Sequence, residues 1–158
     1  MFSDSHSGLS FMRNAVKAFA PDALIHLGDH YADGETIAFE NPSIPIFQVP
    51  GNCDRYRVYD KPQMLCMPVF GVVLYMVHGH EQGVKMGTYK LIAEARAFGA
   101  QAALYGHTHI ADCHQESDGL WVINPGSCGS YSGSAALITI SQGQIQSCRI
   151  LTSDAFTW

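Results

Sequence analysis

The stretch Ala102-Ala103-Leu104-Tyr105-Gly106-His107-Thr108-His109 decides how this chain of 158 residues is read. A short apolar run of strand length stops at a glycine, and two imidazoles follow. Four further apolar runs likewise stop at a cluster of Gly, Asp, Asn or His. Ala23–Leu27 runs into Gly28-Asp29-His30, and Ile44–Val49 runs into Gly51-Asn52-Cys53-Asp54. Val72–Val77 runs into His78-Gly79-His80, and Trp121–Ile123 runs into Asn124-Pro125-Gly126-Ser127. The runs are rich in β-branched and aromatic residues, least so at Ala102–Tyr105, and read as strands. Between them, Leu9, Met12, Val16 and Phe19 have helical spacing and Pro21 closes the segment. Thr88 is placed to cap a helix carrying Leu91, Ile92, Ala95 and Phe98, with Gly99 ending it. A third, short helix is expected over Gly34–Phe39. Ala135–Ile140 and Ile145–Ile150, joined by Gln142-Gly143, read as a hairpin. Strands alternating with helices, then strands joined by turns, predict an α/β layered fold. In such folds ligands collect beyond the carboxyl ends of strands, which is where the polar clusters fall.

Composition removes other classes. A hydrophobic fraction of 47% against 15% charged residues excludes a disordered chain. The length predicts one domain over residues 1–158, large enough for a core of its own. A net charge of −5 argues against a wide basic surface for nucleic acid. The apolar run Met67–Val77 is broken by Pro68 and Gly71 and falls well short of the roughly 20 residues of a membrane helix. The first residues show neither a basic nor an apolar leader region. Five cysteines, without a C-x-x-C pair, argue against a disulfide framework or a zinc knuckle and fit a reducing cytoplasm.

The clusters offer Asp4, His6, Asp29, Asn52, His78, His107 and His109: carboxylates, imidazoles and one carboxamide, with no thiolate set. Mixed carboxylate and imidazole ligation suits Mn²⁺, Fe²⁺ or Zn²⁺. In an extended segment residues i and i+2 point the same way, so Asp4 with His6, and His107 with His109, are each expected to aim a pair of ligands at one place. Glycines 28, 51, 79 and 106 allow sharp turns. Taken singly, Asp4-x-His6, Gly28-Asp29 and Gly51-Asn52 have plain readings as turns and His78-x-His80 as a surface strand end, while Gly106-His107-Thr108-His109 is sharper. Together and in this order the five have no such plain reading. His26 lies inside an apolar run and reads as a core histidine. His30 and His114 read as exposed residues, and the Leu9–Phe19 stripe as a core face.

In sequence, Asp4-x-His6, Gly28-Asp29, Gly51-Asn52-x-Asp54, His78-Gly79-His80 and Gly106-His107-x-His109 resemble the signature of the calcineurin-like metallophosphoesterase superfamily. Asn124–Ser127, Gly51-Asn52-Cys53-Asp54 and the short length resemble its small bacterial and archaeal MJ0936/YfcE-like phosphodiesterase branch. The resemblance spans Asp4 to about Ser127. It implies a four-layer α/β/β/α sandwich of two mixed β-sheets flanked by helices. It implies two divalent metal ions, Mn²⁺ foremost with Ni²⁺, Zn²⁺ or Fe²⁺ as alternatives. One would be held by Asp4, His6, Asp29 and His109, the other by Asp29, Asn52, His78 and His107, with Asp29 bridging. Asn52, Asp54 and His80 would serve catalysis, Asp54 by orienting its neighbours and His80 by lining the pocket. Asn124–Ser127 would be a supporting turn. The implied activity is hydrolysis of a small phosphodiester by a hydroxide shared between the metals, in a cytoplasmic protein away from membranes and nucleic acid, with a homo-oligomer among its expected states.

Other readings are a phosphomonoesterase acting on nucleotides or phosphoproteins, and a non-catalytic scaffold of the retromer-subunit type. Three positions depart from the wider pattern. Cys53 stands where much of the superfamily has a His proposed to protonate the leaving group. Only Met1, Phe2 and Ser3 precede Asp4, where family members usually carry a full apolar strand, so either the first strand is shortened or the natural start lies elsewhere. Pro50 requires that the strand end before the Gly51 turn needs no N–H.

Overall fold

In the computed structural model, which describes residues 1–54, 58–129 and 133–156, strand alternation sorts the apolar side chains onto two faces. The order is α1 Leu9–Phe19, β1 Leu24–His26, α2 Tyr31–Glu40, β2 Ile46–Gln48, β3 Met64–Val69, β4 Val72–Val77, α3 Tyr89–Ala97, β5 Ala102–Leu104, β6 Asp112–Gln115, β7 Trp121–Asn124, β8 Ser134–Ser141 and β9 Gln144–Thr152. One sheet runs β3-β4-β5-β7-β6. Its three inner strands are parallel and its two edge strands antiparallel to them.

The second sheet is completed by the first two residues. Met1 and Ala136 exchange backbone hydrogen bonds of 2.8 and 3.0 Å, and Phe2 bridges His26 in parallel. Met1–Phe2 thus fills the gap between the parallel pair β1–β2 and the antiparallel pair β8–β9. The backbone ahead of Asp4 thus pairs as a strand through this bridge.

Three apolar clusters define the layers. Leu74, Met76, Leu104 and Ile123 of one sheet meet Ile25, Val49 and Ala136 of the other. Alternate residues face outward. Phe2, Leu24, Ala135 and Leu151 carry Met12, Ala15 and Val16 of α1 and Ile37 of α2. Tyr75, Val77, Ala103 and Val122 carry Leu91, Ile92 and Ala95 of α3. The result is the α/β/β/α sandwich with mixed sheets. Fully burying a side chain such as Met12 or Leu91 is worth about 1.5–3 kcal/mol, so each helix is fixed by its stripe.

Two strands were not expected. Met67–Val77 is not one broken run but the hairpin β3–β4, turning at Phe70 and Gly71 with φ of 50° and 84°, as a two-residue hairpin turn requires. Pro68 is tolerated because β3 is an edge strand. β6 is too polar to show apolar alternation. Helix α2 begins at Tyr31, earlier than the short helix expected over residues 34–39. Thr88 stands at the N-cap of α3, but its side chain makes no capping hydrogen bond. No helix among the described residues is long and apolar enough to cross a membrane.

Candidate metal centre

The parallel strands bring their polar ends to one edge. Asp4 follows the Met1–Phe2 bridge, Asp29 follows β1, Asn52 follows β2, His78 follows β4, and His107 and His109 follow β5. The extended geometry expected for the two i, i+2 pairs is not what aims them. Asp4, His6, Asp29, His107 and His109 all have positive φ, between 41° and 66°. Left-handed backbone costs an L-residue about 1–2 kcal/mol. Sharp left-handed turns, rather than pleating, therefore turn the side chains inward, and neighbouring bonds must hold them.

Asp4 is fully buried. Its Oδ2 accepts from the Ser3 hydroxyl at 2.6 Å and the His107 N–H at 3.0 Å. Its Oδ1 accepts no hydrogen bond among the described residues, with His109 Nε2 at 3.1 Å and His78 Nε2 at 4.0 Å. Buried His78 donates from Nδ1 to the Leu27 carbonyl at 2.7 Å, which leaves a lone pair on Nε2 in the neutral ring. That nitrogen lies 3.1 Å from Asn52 Oδ1 and 3.6 Å from Asp29 Oδ1. Lone pairs from Asp4, Asp29, Asn52 and His78 therefore converge, and what relieves such a set is a cation. The ligand atoms of Asp4, His6 and His109 lie within 4.8 Å of one another, as do those of Asp4, Asp29 and His78. These residues fit a divalent metal. His107 belongs to neither trio, although its ring is 5.0 Å from that of His78. The His80 ring is 5.4 Å from that of His78 and 6.1 Å from that of His107.

Burial works to raise the Asp29 pKa, but the His78 ring and the Cys53 N–H, donating to Oδ1 at 2.9 Å, bring it net below the usual carboxylate range. Burial, then the neighbouring His78 and Lys85, lowers the His107 pKa and favours the neutral ring that a metal takes. Burial, reinforced by the Asp29 carboxylate, pushes the Cys53 thiol up to about 11.

Other residues support the loops without being signalled by ligand chemistry. Asp54 accepts from the N–H groups of His30, Tyr31 and Gly51 at 3.0, 2.9 and 2.8 Å, so it joins the Asn52 turn to the start of α2 and holds backbone. Asn124 donates to the Gly106 carbonyl and the Thr108 hydroxyl, and Ser127 donates to the Asp4 carbonyl at 2.8 Å. The Asn124–Ser127 turn thus ties together the Asp4 and His107 loops. At Gly106 a Cβ would collide with Ser3 Oγ and lie 2.9 Å from Asp4 Oδ2; at Gly51 it would collide with Asp29. These glycines permit backbone to touch a carboxylate. His26 is buried with both ring nitrogens bonded, and burial lowers its pKa to about 4. His114 lies exposed on β6 beside Asp112 and Glu116, and His30 is about half exposed.

Comparison with known proteins shows the family and the fold. The model of the calcineurin-like phosphoesterase superfamily domain matches residues 1–143. The "Probable metallophosphoesterase" of Mycoplasma pneumoniae is 31% identical over 130 residues, 80% of this chain and 76% of that protein. "Phosphodiesterase MJ0936" of Methanocaldococcus jannaschii is 28% identical over 151 residues, 83% of this chain and 84% of that protein. Among solved structures, a conserved protein from Streptococcus pneumoniae TIGR4, described as a "predicted phosphoesterase", superposes with a TM-score of 0.78 at 25% identity, covering 97% of this chain and 87% of that one. Vps29 of Chaetomium thermophilum shares the fold at a TM-score of 0.73 and 17% identity, covering 96% and 93% of the two chains.

Proposed function

This chain belongs to the calcineurin-like phosphoesterase superfamily, and from that premise we propose that it is a metal-dependent phosphodiesterase. The observation that carries the reading is the convergence of Asp4, Asp29, Asn52 and His78 acceptor atoms at the carboxyl ends of the parallel strands, with His6 and His109 beside them. In this reading one ion is held by Asp4, His6, Asp29 and His109, and a second by Asp29, Asn52, His78 and His107. Mn²⁺ suits the mixed carboxylate and imidazole set. Divalent ions there supply, when bound, Lewis acidity toward water and toward a phosphoryl oxygen.

The protein's own residues do the rest. Asn52 contributes a neutral oxygen, which limits the negative charge facing an anionic substrate. His78 keeps its Nε2 lone pair inward because the Leu27 carbonyl fixes the tautomer. His80, half-buried next to His78 and His107, lines the substrate side. Asp54 acts through backbone, holding the Asn52 turn against α2. Preference for diesters rests on Cys53. A monoester is largely a dianion near neutral pH, and position 53 offers no imidazolium to meet it or to protonate a poor leaving group. The archaeal relative named a phosphodiesterase supports the same preference.

The test is metal reconstitution. Metal-free protein supplied with Mn²⁺, Ni²⁺, Zn²⁺ or Mg²⁺ is assayed against paired aryl diester and monoester substrates. Binding of two Mn²⁺ per chain with diester cleavage well above monoester cleavage is the expected result. Equal cleavage of both esters would defeat the diester assignment. Absence of metal uptake and of hydrolysis would favour the scaffold reading.

A further inference from the structure

Beneath the Asp4–Ser7 turn lies a second buried polar group that does not face the centre. Ser5, between the two ligands, donates its hydroxyl proton to Asp33 Oδ2 at 2.7 Å. The Ser7 N–H donates to the same oxygen at 2.8 Å. Behind Ser5 stands His26, which is inaccessible to solvent. The Gly28 N–H donates to His26 Nδ1 at 3.4 Å, so the other ring nitrogen carries the proton and donates to Ser5 Oγ at 3.1 Å. A hydrogen-bond chain thus runs from His26 through Ser5 to Asp33, and ends at the oxygen that also receives the Ser7 amide. Asp4, His6 and Ser7 all have positive φ. A turn made of consecutive unfavourable conformations needs a partner that rewards that conformation alone, and Asp33 Oδ2 accepts from both ends of the His6 segment at once.

We propose that Asp33 is a positioning residue for the metal centre: by accepting from Ser5 and Ser7 it holds the left-handed turn that aims His6 at the ion shared with Asp4 and His109. This rests on the metal-dependent reading above. Asp33 touches neither metal nor substrate in this role. Its effect falls on the ion that uses His6 and spares the ion that uses Asn52, His78 and His107.

Mn²⁺ titration by calorimetry of the full-length metal-free protein tests it. Asp33→Ala should weaken one of two Mn²⁺ sites by about 10–100-fold, the range typical when a partner that orients a metal ligand is removed. The other site should change by less than about threefold. Asp33→Asn retains an acceptor oxygen at that place and should recover most of the loss. Ser5→Ala, a milder change that cuts the His26 link, should weaken the same site by less. Circular dichroism and thermal unfolding of the metal-free variants establish that each is folded. Two ions bound by Asp33→Ala with unchanged affinity would leave the centre standing and overturn the positioning role. Equal weakening of both ions, or no recovery in Asp33→Asn, would overturn it as well. A wild type that takes up no ion would bring down the centre itself.

Discussion

The two sides of the centre are built differently. Asn52 and His78 reach it on backbone of ordinary φ. His78 continues directly from β4, and its ring is fixed by the Leu27 carbonyl next to β1. Asp4, His6, Asp29, His107 and His109 reach it on left-handed backbone. The first side inherits its geometry from the sheets, so whatever keeps the core packed keeps it in place. The second stores strain in its turns and depends on local polar bonds: Ser3 and the His107 amide on Asp4, the Cys53 amide on Asp29, Asn124 on the Gly106 loop. Disturbing a single buried hydrogen bond should therefore damage the second side more than the first.

Asp29 joins the two sides, and its substitution has the largest expected effect. Asp29→Asn removes a negative charge proposed to lie between two divalent ions. Uptake of both ions should weaken and hydrolysis should fall by orders of magnitude, roughly 10³-fold or more if the ions supply most of the catalysis. His114→Ala, in an exposed ion-pair cluster on β6, should change little. Calorimetry and the diester assay compare the two. Equal effects would mean that Asp29 does not bridge.

The strained side can be broken without touching a ligand. Gly106→Ala introduces a Cβ against Ser3 Oγ and close to Asp4 Oδ2. Overpacking of this kind costs about 1–3 kcal/mol, read as a lower midpoint in denaturant unfolding. Because the pressure falls on the Ser3–Asp4 hydrogen bond, Mn²⁺ affinity should drop with it. A variant that loses stability but binds both ions as before would show that the Asp4 turn is less dependent on its surroundings than the backbone suggests.

Most of this arrangement was legible in the residues, and the part that was not has a physical reason. Leu9–Phe19 and the late hairpin were readable because periodicity and turn chemistry are local. The strand-end clusters were readable because ligand types are few and their spacing is characteristic. The left-handed turns were not. An Asp-x-His on a pleated strand and one on a left-handed turn have the same sequence, and what selects the turn is Asp33, Ser127 and Asn124, up to 123 residues away. Asp33 belongs to none of the strand-end clusters and carries no motif of its own in the sequence. Only with α2 running from Tyr31 does it fall among the buried residues Tyr31, Gly34 and Ile37 of that helix. Strand β6 was missed because an edge strand of polar residues lacks the period-two signal, and β3 because its run continued across a turn into β4.

The smallest expected effect lies on the strand-supported side, at Cys53. The thiol hydrogen-bonds Asp29, and so does the main-chain N–H, which every substitution but proline keeps. Cys53→His can therefore change chemistry with little change in scaffold. The contacts at risk are the thiol's hydrogen bond to Asp29 and the 3.5 Å hydrogen bond from Asn52 Nδ2 to Cys53 Sγ, and an imidazole carries a donor for the first and an acceptor for the second. With the thiol pushed up to about 11, the wild-type residue is a poor proton donor at neutral pH. An imidazole there titrates in the useful range and can protonate a departing alkoxide. Aryl diesters gain little, because a phenoxide departs without help. Esters with poor leaving groups, and monoesters with their extra negative charge, gain more. The expected result is a rise of about tenfold in monoester over diester turnover at saturating Mn²⁺, below the roughly 10²–10⁴-fold that a well-placed general acid contributes. Mn²⁺ affinity should be unchanged, since His78 keeps its ring on the Leu27 carbonyl. Weakened metal binding would mean that the new ring displaces Asn52, and this side would then be as fragile as the other. Full metal occupancy with unchanged selectivity would show that position 53 does not choose between the two ester classes.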